Sequence, residues 1–206
     1  SYFPRKCGGR SPLTMIRSYR REVRHREQLN GVKLVIANSS AVAEQLKIAG
    51  IDAHVLHPFV GGEPGSPRYG FKKSTERSLL FLGRFVDAKG GDHLLTALPR
   101  VASELGTPIR LTMAGAGIEL RSWKHRADAI AAGDPRLTVE FPGWLSHDAA
   151  GVICAASDLL VFPSVWPEPF GLVGLEAARY GLPAVAFAVG GVPDWLTSGV
   201  NGHLAD

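Results

Sequence analysis

The chain has 206 residues, 45% hydrophobic and 20% charged, with a formal net charge of +4. That is the balance of a soluble globular protein able to bury a substantial core. No apolar run approaches the roughly eighteen residues that cross a bilayer and no secretory leader is visible, so a cytoplasmic protein is expected. Cys7 and Cys154 have neither the number nor the spacing of a zinc site or a disulfide framework. Position 1 is Ser, which reads as something other than a native start.

Residues 1–30 hold eight Arg or Lys against Glu22 and Glu27, a net +6 that leaves −2 for the other 176 residues. Ser11-Pro12 is a cap and first position for a helix running toward Gly31, with Met15, Ile16, Tyr19 and Val23 on one face and Arg17, Arg20, Arg21, Arg24 and Arg26 over much of the rest. This face reads either as a solvated surface or as one drawn to an anionic membrane or lipid-linked acceptor. No aromatic interleaving accompanies the charge, so nucleic acid is not an expected partner. A strand over 33–37 follows, then a helix over 41–49 capped by Ser39 or Ser40, and a short strand near Val55. Gly61 to Gly70 reads as a linker. From residue 77 strands near 78–83, 109–114, 137–141, 158–162 and 184–188 alternate with helices near 91–105, 118–132, 146–156, 171–180 and 193–198, and a last strand lies near His203-Leu204. This alternation predicts an α/β fold, a Rossmann-like doubly wound parallel sheet.

The most informative segment is Pro163-Ser164-Val165-Trp166-Pro167-Glu168-Pro169-Phe170-Gly171-Leu172-Val173-Gly174-Leu175-Glu176-Ala177-Ala178. The apolar run Leu159 to Phe162 leads into a Pro-rich loop and then a helix. The N–H groups of Phe170, Gly171, Leu172 and Val173 lack partners within that helix, where its dipole favours an anion. Glu168 stands before the first turn, and Glu176 lies five residues beyond Gly171, roughly 7–8 Å along the axis. Two acids bracketing an anion site suit a ligand with sugar hydroxyls at both ends and phosphate between them. Upstream, Arg84 and Lys89 occupy a strand-to-helix loop at the carboxyl edge of the predicted sheet, where open α/β folds bind ligands.

This segment, with Tyr180-Gly181-Leu182-Pro183 and Gly190-Gly191-Val192-Pro193-Asp194, resembles the donor-binding signature of retaining GT-B glycosyltransferases, family 4 or glycosyl transferases group 1. Phe81-Leu82-Gly83-Arg84, Lys89-Gly90, Met113-Ala114-Gly115-Ala116-Gly117, Phe141-Pro142-Gly143-Trp144 and Val35-Ile36-Ala37-Asn38-Ser39 extend the resemblance in the family's order. It implies that Arg84 and Lys89 hold a diphosphate, that Glu168 binds sugar hydroxyls and that Glu176 binds ribose hydroxyls. Gly83, Gly115, Gly143, Trp144, Leu145, Phe170, Gly171, Leu172 and Val173 would complete the donor site. Arg84 and Lys89, with the helix N-terminus, would carry catalysis by stabilising the leaving group, and Glu168, on the sugar hydroxyls, completes the catalytic set. No cofactor and no metal are expected, since no Asp-x-Asp motif occurs and the seven histidines lack ligand spacing. The nucleotide is UDP in preference to GDP by family frequency, and the partners implied are a nucleotide sugar and a glycan or lipid-linked acceptor.

The same resemblance divides the chain into 1–60, the end of an amino-terminal acceptor-side domain; 61–76, a linker; and 77–206, a donor-binding domain without its final helices. A fragment holding the donor site is therefore expected, doubtful as a transferase alone. Three other readings stay open: a module that binds a nucleotide sugar without turnover, a sugar-nucleotide epimerase, and a glycan phosphorylase on the same fold. Glu168 and Glu176 as a glycosidase pair is disfavoured, because a glycosidase has no phosphate to hold.

Overall fold

A computed structural model describes residues 12–29, 31–61 and 75–205. The chain forms two compact units, Ser1–Leu56 and His57–Asp206. The predicted linker lies almost wholly outside the described residues.

In the first unit helix α1 spans Pro12–Leu29, and strands β1 (Ile36–Ala37) and β2 (His54–Val55) pair in parallel around helix α2 (Ser40–Ile48). Ser39 is the cap of α2: fully buried, its hydroxyl accepts the Val42 N–H at 3.1 Å. The strand expected over 33–37 shrinks to two residues. On α1 the apolar face predicted from spacing is exposed at Ile16, Tyr19 and Val23, alongside the exposed Arg17, Arg20, Arg21 and Arg24.

The second unit is a six-stranded parallel sheet in the order β5-β4-β3-β6-β7-β8. Its elements are β3 (Arg77–Leu82), α3 (Gly91–Leu105), β4 (Ile109–Ala114), α4 (Leu120–Gly133), β5 (Leu137–Gly143), α5 (His147–Ala156), β6 (Leu159–Phe162), α6 (Leu172–Ala178), β7 (Ala184–Phe187) and β8 (Gly202–Ala205). Alternate residues of a strand face opposite sides of the sheet, and the core divides accordingly. Leu79, Phe81, Leu111 and Met113 pack with Leu94, Leu95, Leu98 and Trp123 of α3 and α4. Leu80, Leu160 and Phe162 pack on the other side with Cys154 of α5, Ala177 of α6 and the downstream Val192 and Leu196. Beside α3, an open apolar cleft of about 670 Å³ runs over the ends of β6, β7 and β8.

Two predicted helices come out shorter. The segment expected as a helix over 171–180 is helical only from Leu172 to Ala178, because Gly171 takes a left-handed conformation (φ 93°) as its cap and the turn Tyr180-Gly181 closes it before Pro183. The one expected over 193–198 is a single 3₁₀ turn, Val192–Asp194. Asn201 ends it: its side chain accepts the Thr197 N–H at 2.8 Å and donates to the Trp195 carbonyl at 2.7 Å.

The strand order positions the site. β3, β4 and β5 are laid down in one direction and β6, β7 and β8 in the other, so the direction of winding reverses between β3 and β6. The loops leaving these two strands diverge at their carboxyl ends, and the crevice between them is where such sheets take ligands.

Candidate functional site

Arg84 and Lys89 lie on the β3 side of that crevice and Glu168 on the β6 side. Although 79 residues apart in sequence, Lys89 Nζ donates to Glu168 Oε1 at 2.5 Å. Both groups are largely enclosed, the Lys89 side chain 19% and the Glu168 side chain 8% exposed. Ser164 Oγ lies 2.5 Å from the same carboxylate oxygen and 3.1 Å from the Ala88 carbonyl, so its single proton can serve either acceptor. Charge pairing and hydrogen bonding thus compensate the desolvation of Glu168.

The two loops also meet through their backbones. The Val165 N–H donates to the Ala88 carbonyl at 3.1 Å. Gly90 (φ 69°) crosses the Pro163 carbonyl so closely that a Cβ would stand 1.8 Å from its oxygen. Only glycine fits that crossing, and it sets Lys89 against Glu168.

The Glu168 loop is gripped from behind by residues 190–195. The Gly191 N–H donates to the Glu168 carbonyl at 2.7 Å, and the Trp195 indole N–H to the Phe170 carbonyl at 2.7 Å. At Gly190 (φ 55°) a Cβ would lie 2.1 Å from the Glu168 oxygen. The Gly-Gly-Val-Pro-Asp motif therefore holds the acid in place. Asp194 in turn meets His57, whose Nε2 lies 3.0 Å from Oδ2.

Other predicted residues fall around the crevice. Arg84 is exposed and makes no ion pair among the described residues. The loop that carries it is tied to the β4 loop: Gly83 N–H donates to the Ala114 carbonyl at 3.1 Å and Phe85 N–H to the Ala116 carbonyl at 2.8 Å. Gly115 N–H donates to the Gly143 carbonyl at 2.8 Å, which joins the β5 turn to the same cluster. Trp144, beyond that turn, is 79% exposed, and Leu145 is half-buried. Phe170 is buried, and Gly171, Leu172 and Val173 open α6 with N–H groups that have no carbonyl one turn earlier in the helix. Glu176 is a turn further along, in a narrow pocket with Leu82, His147, Cys154 and Arg179. Burial first, and then the Glu176 charge, push the Cys154 thiol up to about 11. Glu176 makes no ion pair or side-chain hydrogen bond with Lys89 or Glu168 among the described residues.

Sequence reasoning gave Ser164, Gly190, Gly191, Trp195 and His57 no role. Four of them stand in motifs already quoted or directly beside one, and the signal was there to follow. His57 carries no motif, and only the folded chain brings it to Asp194.

An open parallel sheet with basic and acidic side chains meeting at its switch point defines a Rossmann-like α/β domain. A family profile described as glycosyl transferases group 1 matches residues 67–206, and the chain belongs to that family. It is 32% identical over 199 residues to a D-inositol 3-phosphate glycosyltransferase of Nocardioides, covering 84% of this chain and 42% of that one. It is 33% identical over 160 residues to a glycogen synthase of Mycobacterium tuberculosis, covering 74% and 34%. Among solved structures, Anabaena HepE in complex with UDP and glucose shares the fold with a TM-score of 0.69 at 23% identity, over 84% of this chain and 49% of that one. The chain spans less than half the length of these curated relatives.

Proposed function

We propose that this chain is the donor-binding part of a metal-independent glycosyltransferase, which moves a sugar from a nucleotide diphosphate to an acceptor with retention of configuration. The observation that carries the reading is the Lys89–Glu168 pair at the switch point, with Arg84 exposed on the same loop. A diphosphate entering the crevice competes with Glu168 for the Lys89 ammonium. As Lys89 turns to the phosphate, the carboxylate lone pairs become available to sugar hydroxyls, so one exchange of partners would prepare both ends of the donor. Arg84 and Lys89 then stabilise the charge that develops on the leaving diphosphate. The acceptor hydroxyl attacks from the face the diphosphate leaves. Glu176, one turn into α6, is the residue we assign to the ribose.

Several similarities support this reading. The named relatives are glycosyltransferases, and the HepE structure contains UDP and glucose. UDP is the nucleotide we assign, and a glycan or lipid-linked acceptor would be bound by a part of the protein lying outside the residues of the donor domain. No helix among the described residues is long and apolar enough to cross a membrane. We place the protein in the cytoplasm, with the exposed basic face of α1 a surface for the inner side of a membrane.

Calorimetric titration with UDP, GDP, ADP and TDP, with and without magnesium, tests the proposal. Binding of UDP alone, indifferent to magnesium, is the expected result. Binding that requires the metal would refute the metal-independent mechanism, and in a separate incubation with UDP-glucose and no acceptor, epimerisation of the sugar would replace the transferase by another enzyme on this fold.

A further inference from the structure

His57 is the first residue of the unit that carries the sheet, and the reading above leaves it unused. Its ring centroid lies 5.7 Å from that of Phe170, tilted by 41°. Its Nε2 lies 3.0 Å from Asp194 Oδ2. A carboxylate only accepts, so Nε2 is the donor in this contact. The Asp194 side chain is 11% exposed and that of His57 is 46% exposed, which makes the imidazole the solvent-side partner of a nearly enclosed acid.

Asp194 sits between the two groups that grip the Glu168 loop, Gly191 on the Glu168 carbonyl and Trp195 on the Phe170 carbonyl. Phe170 is therefore held twice, through its carbonyl by Trp195 and at its ring by His57. The two holders are themselves joined, because Asp194 is the chain neighbour of Trp195 and the hydrogen-bond partner of His57. Three contacts close a ring: His57 to Phe170, Phe170 to Trp195, and Asp194 back to His57.

We propose that His57 and Asp194 form a clamp that positions the loop Pro167–Gly171, making His57 a positioning residue that places Glu168 and Phe170 for the sugar of the donor. The reference to a donor rests on the function proposed above; the clamp on the loop does not. His57 acts through Phe170 and Asp194 and holds the loop in the conformation that aims Glu168 into the crevice. Losing the clamp lowers affinity for the sugar part more than for the nucleotide, since the loop carries the acid assigned to the sugar.

Two substitutions separate the two contacts. His57→Phe keeps a ring against Phe170 and removes the N–H, whereas His57→Gln keeps a donor near the position of Nε2 and removes the ring. Amide hydrogen exchange on the unliganded chain, read peptide by peptide, is compared with calorimetric affinities for UDP and for UDP-glucose. His57→Phe is expected to speed exchange within 167–173 by about three- to tenfold, the size of one lost hydrogen bond to a charged group at a half-exposed site, with the sheet unchanged. UDP-glucose affinity should fall by a similar factor and UDP affinity by less, while His57→Gln restores most of both. Asp194→Asn should match His57→Phe, and the double variant should add little to either. Unchanged loop exchange in His57→Phe and Asp194→Asn overturns the proposal. Faster exchange spread across the whole sheet overturns it too, because His57 would then support the fold and not the loop. If the loop loosens as expected but the unsubstituted chain binds no nucleotide diphosphate, the clamp stands and the donor reading falls.

Discussion

The two loops that face each other across the switch point are held in different ways. The loop after β3 is anchored by an apolar side chain: Phe85 is fully buried, its ring 5.1 Å from that of Trp123 and 6.1 Å from that of Phe141. The loop after β6 has one buried ring, Phe170, and is otherwise held by polar contacts, through Ser164, the Lys89 ion pair, and the carbonyls of Glu168 and Phe170. The first loop is thereby continuous with the core of the domain, and its cations ride on a rigid base. The second can loosen one hydrogen bond at a time while the sheet stays intact. Under the function proposed above, the first loop would be a fixed wall for phosphate and the second an adjustable one for hydroxyls.

The sharpest way to break the comparison is to empty the anchor of the first loop. Phe85→Ala is expected to cost about 3–5 kcal/mol of stability, the range for truncating a buried aromatic side chain. Urea denaturation of the chain measures it, and a loss under about 1 kcal/mol would show that the loop is not built on the core.

Across the crevice the effect is smaller and depends on the partner. Lys89→Met leaves Glu168 enclosed with one donor fewer, at a cost of about 1–3 kcal/mol. Adding Glu168→Gln removes the stranded charge and should recover much of that stability without recovering nucleotide binding. Equal stability of the single and double variants would mean that the stranded Glu168 charge is not what costs the stability.

Arg84 separates binding from folding. Because its side chain is exposed and outside the ion pairs of the described residues, Arg84→Ala should change stability by less than about 0.5 kcal/mol. Its affinity for UDP should nevertheless fall about tenfold, about 1.4 kcal/mol for a charge-assisted contact. Undiminished UDP affinity would remove Arg84 from the site.

The smallest effect is a chemical one at the far end of α6. With its thiol near 11, Cys154 is almost wholly protonated at neutral pH, so alkylation should be slow and should rise about tenfold per pH unit below that value. A negative neighbour raises a thiol's pKa, hence Glu176→Gln should lower it and speed alkylation at a given pH. Mass spectrometry of the Cys154 peptide reads the rate, and an unchanged rate would show that access to the buried thiol, and not its charged neighbour, sets the reaction.

Much of the domain was legible before the structure. Apolar runs of strand length, separated by helical periods and closed by Gly and Pro, mark the inner strands such as β3, β6 and β7, because burial on both faces demands such runs, whereas the edge strands β5 and β8 carry polar residues. Arg84 and Lys89 stand out as charged residues beside glycines after a strand, and Glu168 as an acid in the Pro-rich loop that opens a helix. The helices over 171–180 and 193–198 were overestimated. The first is trimmed by the left-handed Gly171 and the Tyr180-Gly181 turn and the second by the Asn201 side chain, and hydrophobic periodicity carries no record of either.

Fold class, the parallel winding and the loops that carry the charges follow from local pattern and short-range chemistry, which the order of residues determines by itself. Which charges meet is a tertiary matter. The reversal of winding between β3 and β6 brings residues 89 and 168 within one hydrogen bond, and Gly90 and Gly190 permit the backbone crossings that hold them there. The His57–Asp194 contact, across 137 residues, belongs to the same class. Pairings of this kind depend on where the chain returns in space, and no stretch of sequence encodes that return on its own.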